Sequence, residues 1–418
     1  MSVCSSWLKI VDSTPSMWSY VYVHSHFAVD RITDVIVNRT AAADLYIHIR
    51  LQNVEFDLAK TWMLLDSLND HYQRCVYLVA ETRVPHDSEI LIEYFSGHAG
   101  LSLRHLVLDV SPVSLECQRE DHLSGMPLPI LFKNFAPLLQ SFSLARCFVL
   151  WNSPSFYKNL RHLSVSYLMQ DRPTLPEWLS MLGSMDALIS LDLRHVRCLY
   201  DSHQHQQSKT VELPCLTHLR LDTRDLSMCQ VIRHLHLPAL HTFVCTAITC
   251  DFMNELVNTC ETLLSQITSA EIRIHHTVPQ SESDTVSRLF GSFQNVRRLD
   301  LRHVPNTHID TFWSLAKLAT FPQLQWIVAS IDRPSDQELL TFWIGCTGLS
   351  VAADGRGLLP QNSTIGDNPR DIQLLIPKKT EDFRALSLVK RSHSRGQAGT
   401  FRESWHSAPM DFWMERPE

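Results

Sequence analysis

Leu191-Asp192-Leu193-Arg194-His195-Val196 recurs residue for residue as Leu299-Asp300-Leu301-Arg302-His303-Val304. Close variants stand at Leu103-Arg104-His105-Leu106 and Leu160-Arg161-His162-Leu163, and all four belong to runs of the form LxxLxL. Self-similarity at a fixed period decides a fold before any local reading does. Taking the second apolar position of each run as an anchor gives Ile47, Leu78, Leu106, Phe142, Leu163, Leu191, Leu219, Phe243, Ile272, Leu299 and Ile327. Successive anchors lie 31, 28, 36, 21, 28, 28, 24, 29, 27 and 28 residues apart. The longest step contains Pro127 and Pro129, which marks a loop insertion between two repeats.

Between anchors, alternation gives way to helical spacing. Ser335-Asp336-Gln337-Glu338 is a capping box ahead of Leu339, Leu340, Phe342 and Trp343. Asp251 precedes Phe252, Met253, Leu256 and Val257, and Asp310 precedes Phe312, Trp313, Leu315 and Leu318. Each unit therefore reads as one strand and one helix, too small to bury both alone, so that neighbours stack on a shared core. The pattern resembles leucine-rich repeats. That resemblance implies an α/β leucine-rich-repeat solenoid, an irregular horseshoe with a short helical N-terminal cap, whose degenerate repeats run over 31–376. Where such repeats carry Asn or Cys three residues after LxxLxL, this chain has Val196, Arg224, Ile248 and Val304, with Cys147 the one match. The buried backbone of those turns must find other partners.

The composition excludes several classes. With 418 residues and 44% hydrophobic content, the chain has apolar mass for a large core. A net charge of -7 and a pI near 6.3 argue against nucleic acid or an anionic membrane as partner. No secretory leader and no run of about eighteen apolar residues is visible. Eleven scattered cysteines without a CxxC pair are the usage of a reducing compartment. The expected location is the cytoplasm, the nucleus or both.

Residues 1–30 differ in character. Val3, Cys4, Trp7, Leu8 and Val11 line one helical face, Pro15 stops the helix, and Met17 and Trp18 are placed to fold back on it. The run Val3-Cys4-Ser5-Ser6-Trp7-Leu8-Lys9-Ile10-Val11, followed by Thr14-Pro15-Ser16-Met17-Trp18, resembles the second half of an F-box. With loose repeats after it, the chain is similar to the F-box and leucine-rich-repeat proteins expanded in mushroom-forming fungi. The resemblance implies a substrate-recognition subunit of an SCF-type, cullin-RING ubiquitin ligase. Val3, Cys4, Trp7, Pro15 and Trp18 would be the remnant that docks on a Skp-type adaptor, and the adaptor and its cullin would join a protein substrate as partners. The first half of the motif, with its Leu-Pro opening, does not precede Met1, so the alternative is a ligase-independent repeat scaffold.

Because strand residues alternate between faces, the positions between the leucines line the inner surface. They are Arg104, His105 and Asp109, Arg161 and His162, Asp192 and Arg194, His218, Arg220 and Asp222, Arg273, Arg298, Asp300 and Arg302, and Gln325 with Trp326. Aspartates interleaved with arginines suit a protein partner and not a phosphate backbone. The densest His and Cys cluster is His234, His236, Cys245 and Cys250, with His203 and His205 before it, and it lacks the paired short spacing of a zinc site. No GxSxG, HExxH, GxGxxG or GxxxxGK[ST] occurs. The chain is therefore expected to bind protein without catalysis, metal or cofactor. Leu349–Val351 and Ile372–Leu374 read as last strands, and 377–418 as a closing helix over 382–389 and a flexible tail holding Phe401, Trp405, Phe412 and Trp413.

Overall fold

The computed structural model describes residues 10–11, 13–23, 34–40, 42–51, 58–69, 71–82, 84–110, 130–146, 157–167, 173–199, 210–223, 225–247, 249–274, 283–305, 308, 311–312, 315, 321, 323–324, 326–328 and 373–375. The chain divides into two units, Met1–Ile376 and Pro377–Glu418. The second unit, the Leu349–Val351 strand, the capping box at Ser335, the loop at Pro127 and residues Val3, Cys4, Trp7, Cys147, His203 and His205 lie outside the described residues.

The first unit is α/β. Its strands are β1 (Tyr20–Val23), β2 (Leu45–Leu51), β3 (Cys75–Thr82), β4 (His105–Val110), β5 (Ser141–Ala145), β6 (His162–Ser166), β7 (Ser190–Arg194), β8 (Val211–Glu212), β9 (His218–Thr223), β10 (Leu235–His236), β11 (Thr242–Ala247), β12 (Ser269–Ile274), β13 (Arg298–His303), β14 (Trp326–Val328) and β15 (Gln373–Leu375). Thirteen of them form one sheet in strict chain order, every described neighbour pair parallel, while β8 and β10 pair separately. Helices α1 (Leu58–Asn69), α2 (Pro85–Gly97), α3 (Leu175–Leu182), α4 (Ser227–Arg233), α5 (Cys250–Gln266) and α6 (Ser283–Gly291) lie between successive strands of that sheet. A parallel sheet needs such crossovers, and a sequential order adds each strand beside the last, which is compatible with a solenoid.

Strands β5, β6, β7, β9, β11 and β13 enter the same way. The first apolar residue of the run donates its N–H to the carbonyl three residues back: Leu139 to Ala136, Leu160 to Tyr157, Leu188 to Met185, Leu216 to Leu213, Leu240 to Leu237 and Val296 to Phe293. Pro137, Pro214 and Pro238 stand at the second position of three of these turns, where a fixed φ near −65° preforms the bend. The next residue's carbonyl accepts two N–H groups from the following repeat. Arg104 accepts from Gln140 and Ser141, Gln140 from Arg161 and His162, Arg161 from Ile189 and Ser190, Ile189 from Thr217 and His218, Thr217 from His241 and Thr242, and so on through His241 and Thr268.

That chain of shared carbonyls sets the register. Ile47, Leu78, Leu106, Phe142, Leu163, Leu191, Leu219 and Phe243 face one another across successive strands. The next member is Ala270, paired with Phe243 and then with Leu299; Ile272, expected as the anchor, sits two residues later opposite Cys245. Both point into the core, and the smaller Ala270 is simply the less conspicuous of the two. The anchors from Ile47 to Leu299 are buried in one apolar cluster with the helix residues, including Trp178, Phe252, Leu256 and Leu289.

One helix start also differs from expectation. The cap of α5 is Thr249, whose hydroxyl accepts from Phe252 N at 3.2 Å, and Asp251 lies inside the first turn, where a carboxylate favours the helix dipole. A full capping box stands at Thr174–Glu177, at the head of α3. Met17, expected to fold back on the first helix, is exposed, whereas Trp18 does so through Nε1 to Val11 O at 2.9 Å.

The exits answer the missing Asn ladder. Arg146, Tyr167 and His195, each directly after its strand, adopt positive φ of 59°, 59° and 49°. In that conformation their N–H groups donate to Ser166, Arg194 and Asp222 O, in each case the last or penultimate residue of the next strand. At the ends of β3 and β9 the buried hydroxyls of Thr82 and Thr223 accept from Val84 and Asp225 N instead, both at 3.1 Å.

An anchor carries more than its own contacts, since its repeat has no core except with its neighbours. Leu191→Ala or Leu299→Ala should cost about 2–5 kcal/mol through the cavity left, read as a lower midpoint in urea denaturation. A loss within about 0.5 kcal/mol, the range of surface changes, would show that neither leucine is a core residue.

Candidate functional site

On β4 to β7 and β9 the residues between anchors are half-buried while the anchors are covered, so that among the described residues the opposite side of the sheet is partly open; Val79 and Asp300 are buried exceptions on other strands. Parallel register arranges these residues in three rows across the strands. The first row reads Tyr20, Tyr46, Tyr77, His105, Ser141, His162, Ser190, His218, Thr242, Ser269 and Arg298. The second holds Tyr22, His48, Val79, Val107, Ser143, Ser164, Asp192, Arg220, Val244, Glu271 and Asp300. The third holds Arg50, Glu81, Asp109, Ala145, Ser166, Arg194, Asp222, Thr246 and Arg273.

The face changes chemistry along its length. At β1–β4 it is aromatic: Tyr20 stacks on Tyr46 with centroids 4.6 Å apart, Tyr46 lies 6.4 Å from Tyr77, and Tyr77 lies 5.9 Å from His105. Tyr22 meets His48 edge-on at 4.8 Å. The regular alternation of Leu45-Tyr46-Ile47-His48-Ile49-Arg50-Leu51 carries these positions, although LxxLxL does not capture them.

At β7–β12 the face is charged. Arg194 grips Asp192 through Nε, at 2.9 Å from Oδ1, and through Nη2. Arg273 holds Glu271 in the same two-residues-apart arrangement, with Nε to Oε1 at 2.7 Å. Arg220 approaches Asp192 Oδ1 only to 3.8 Å. Burial lowers the pKa of Arg194, but the hydrogen bond and charge of Asp192 outweigh it and leave the group above its ordinary value. Arg220 is lowered, first by burial and then by Arg194.

Of the expected strip, His105, His162 and His218 fall in the first row, spaced by Ser141 and Ser190, and Asp192, Arg194, Arg220 and Asp222 form one cluster on two neighbouring strands. Arg104 and Arg161 stand outside the three rows, exposed, at the shared carbonyls where strands begin. Asp300, expected on the open face, is buried at 6% exposure beside Glu271. The strip loses its register at β13: Arg273 pairs with His303, not Arg302, because one extra residue enters that strand. Gln325 and the side chains of Arg302 and Trp326 lie outside the described residues, although Trp326 pairs with Arg298 through the backbone. Glu271, Arg146, Tyr167 and His195 belong to the same surface without having been expected there. Arg146 pairs with Asp109, and Tyr167 stacks on His195 at 4.8 Å.

The His and Cys cluster is split by the fold. Cys245 is fully buried in β11, where burial pushes its thiol far up, while His236 is exposed on β10, 3.7 Å from Glu212. Among the described residues no three His, Cys, Asp or Glu side chains converge as metal ligands would, and no helix is long and apolar enough to cross a membrane. Compared with known protein families and with curated proteins, the chain matches none.

The histidine row has a pH signature. Burial, then His105, Arg161 and His218, push His162 down to about 4; burial and Arg104 lower His105, and burial and His241 lower His218. The unfolded chain takes up these protons near pH 6.5, so between about 6.5 and about 4 it binds more protons than the folded protein. The stability these neutral rings support is complete above pH 6.5 and is lost as the pH falls through that window. The denaturation midpoint should therefore drop between about pH 7.5 and about pH 5, and His162→Gln should shrink the drop. A drop of unchanged size in that variant would assign the effect to other groups.

Proposed function

We propose that the chain is a leucine-rich-repeat protein that captures a protein partner on the open face of its sheet, and that it serves as the substrate-recognition subunit of an SCF-type ubiquitin ligase in the cytoplasm or nucleus. The observation that carries the capture reading is the outward face itself: among the described residues, one side of a long parallel sheet keeps its side chains partly exposed and aligned in rows. Parallel sheets are ordinarily covered on both faces. Ten strand-to-strand steps of about 4.8 Å from β1 to β13 give a strip roughly 50 Å long along the sheet, ample for a partner interface of about 800 Å². Neutral histidines, tyrosines and arginines supply the residue types that anchor protein partners. The role needs no catalytic group, metal or cofactor.

Support for the ligase role is the F-box-like segment of residues 3–18. A specific observation favours the second reading, a ligase-independent scaffold. Trp18 is engaged within its own chain, through Nε1 to Val11 O and through Arg39, whose guanidinium lies 4.5 Å over the ring.

Two measurements separate these readings. Arg104, Arg161 and Arg298 are exposed at the edge of the face, so changing all three to Glu should alter stability by no more than about 0.5 kcal/mol each while removing most partners found by proximity labelling with the wild type. A full partner set in the folded triple variant would show that capture occurs elsewhere. In the same experiment, and in titration with purified Skp-type adaptor, the receptor reading expects a stoichiometric adaptor complex. Absence of that complex with capture intact leaves the scaffold.

A further inference from the structure

Three strands of the charged region carry an acid and an arginine two residues apart on the open face: Asp192 and Arg194 on β7, Arg220 and Asp222 on β9, and Glu271 and Arg273 on β12. The outer two pairs are closed by hydrogen bonds within their own strand. The middle pair is not. Among the described residues Arg220 Nε has no hydrogen-bond partner, and the carboxylate nearest to it is 3.8 Å away and already gripped by Arg194. Yet its side chain is only 25% exposed. A guanidinium covered to that degree normally has its donors matched, since an unmade hydrogen bond to a charged group is costly.

Beside it the wall of charge is interrupted. Strand β11, between β9 and β12, presents Val244 next to Arg220 and Thr246 next to Asp222, both short side chains flanked by long ones. Thr246 Oγ1 is buried and also lacks a hydrogen-bond partner among the described residues. The short side chains of Val244 and Thr246 thus leave a recess in the row of long ones, with Arg220 and its unpaired Nε on one side, Asp222 beside Thr246, the covered Thr246 hydroxyl beneath, and Arg273 beyond.

We infer that this recess receives a carboxylate, the Asp or Glu side chain of an extended segment of the captured protein, held by Arg220 and Thr246. The inference rests on the protein-capture reading and gives it a chemistry. An incoming carboxylate supplies the acceptor that Arg220 lacks and takes a proton donor from Thr246, without displacing an existing bond. The opposed pairs on β7 and β12 are closed on themselves, so the one carboxylate the guest must outcompete is Asp222, two residues from Arg220 on the same strand and beside Thr246 in register. The lowered pKa of Arg220, from burial and from the neighbouring Arg194 and Arg273, agrees with a cation short of negative charge.

The site can be tested without knowing the partner, because Val244 stands opposite Arg220 in register. Val244→Glu places a carboxylate in the recess from within. It should melt at higher temperature than Val244→Gln, and the difference should vanish when Arg220→Gln is added to both, which isolates the pair from any general effect of the substitution. Val244→Glu melting at or below Val244→Gln, or an equal difference with and without Arg220, overturns the site. The occupant is then tested by selecting a displayed library of random short linear peptides on the full-length wild-type chain. The expected result is a recurring Asp or Glu whose amide replacement weakens binding about tenfold or more, with the same loss in Arg220→Gln, a smaller one in Thr246→Val, and none of the peptides binding Val244→Glu. A neutral or basic consensus, or acidic peptides that bind Arg220→Gln undiminished, overturns the carboxylate site and leaves capture standing. If peptides bind neither the wild type nor any variant, the capture reading and this inference fall together.

Discussion

One carbonyl per repeat, accepting two N–H groups from the next, governs the sheet from β4 to β13. Arg104, Gln140, Arg161, Ile189, Thr217, His241 and Thr268 occupy this position in turn. Their side chains share nothing, because the bond is made by backbone, and so the repeat tolerates any residue there. The turn before the carbonyl fixes where the strand begins; the shared acceptor fixes where the next one begins beside it. Since a slip of one residue would turn every anchor outward, this entry device and the apolar rows enforce the same register from the two sides of the peptide chain.

The exit of the strand is paid for differently in different repeats, and that unevenness shapes the surface. Left-handed backbone at Arg146, Tyr167 and His195 costs on the order of 1 kcal/mol or more each for a residue with a Cβ, offset by an N–H donated to the neighbouring strand. Thr82 and Thr223 reach the same end by hydroxyl. In the left-handed repeats the residue that turns the chain is large and functional in type, so the bend presents a ring or a guanidinium at the strand end. An Asn ladder would have turned inward to the backbone and left that edge bare.

Much of this was legible. LxxLxL marked β4 to β13 because apolar burial repeats with the period of the pleat, and His105, His162 and His218 stood among the expected outward residues, although their alignment in one row needed the register. Other features were hidden for identifiable reasons. Ala270 is too small to stand out against Ile272, although only Ala270 keeps the 27- and 29-residue steps that the pairing with Phe243 and Leu299 requires. Thr249 as cap was masked by Asp251, since both residue types cap helices and only the geometry chooses. The extra residue in β13, which sets His303 and not Arg302 opposite Arg273, has no signature in a hexapeptide identical to the regular one at Leu191. The entry turns, by contrast, were readable: Ala136-Pro137, Leu213-Pro214 and Leu237-Pro238 each precede a run by the same interval.

The identity of those two hexapeptides also shows why function does not follow from the repeat. Asp192 lies half-buried, whereas Asp300, the same residue in the same sequence context, is buried at 6% exposure beside Glu271. What differs is the neighbouring strand. In a sheet built by lateral addition, the environment of an outward residue is set by the strands on either side, twenty to thirty residues away in the chain. The chemistry of the open face is therefore a property of adjacent repeats taken together, aromatic where tyrosines fall side by side and charged where acids meet arginines. A partner that recognises it reads across the strands, along the rows, and not along any one segment of the sequence.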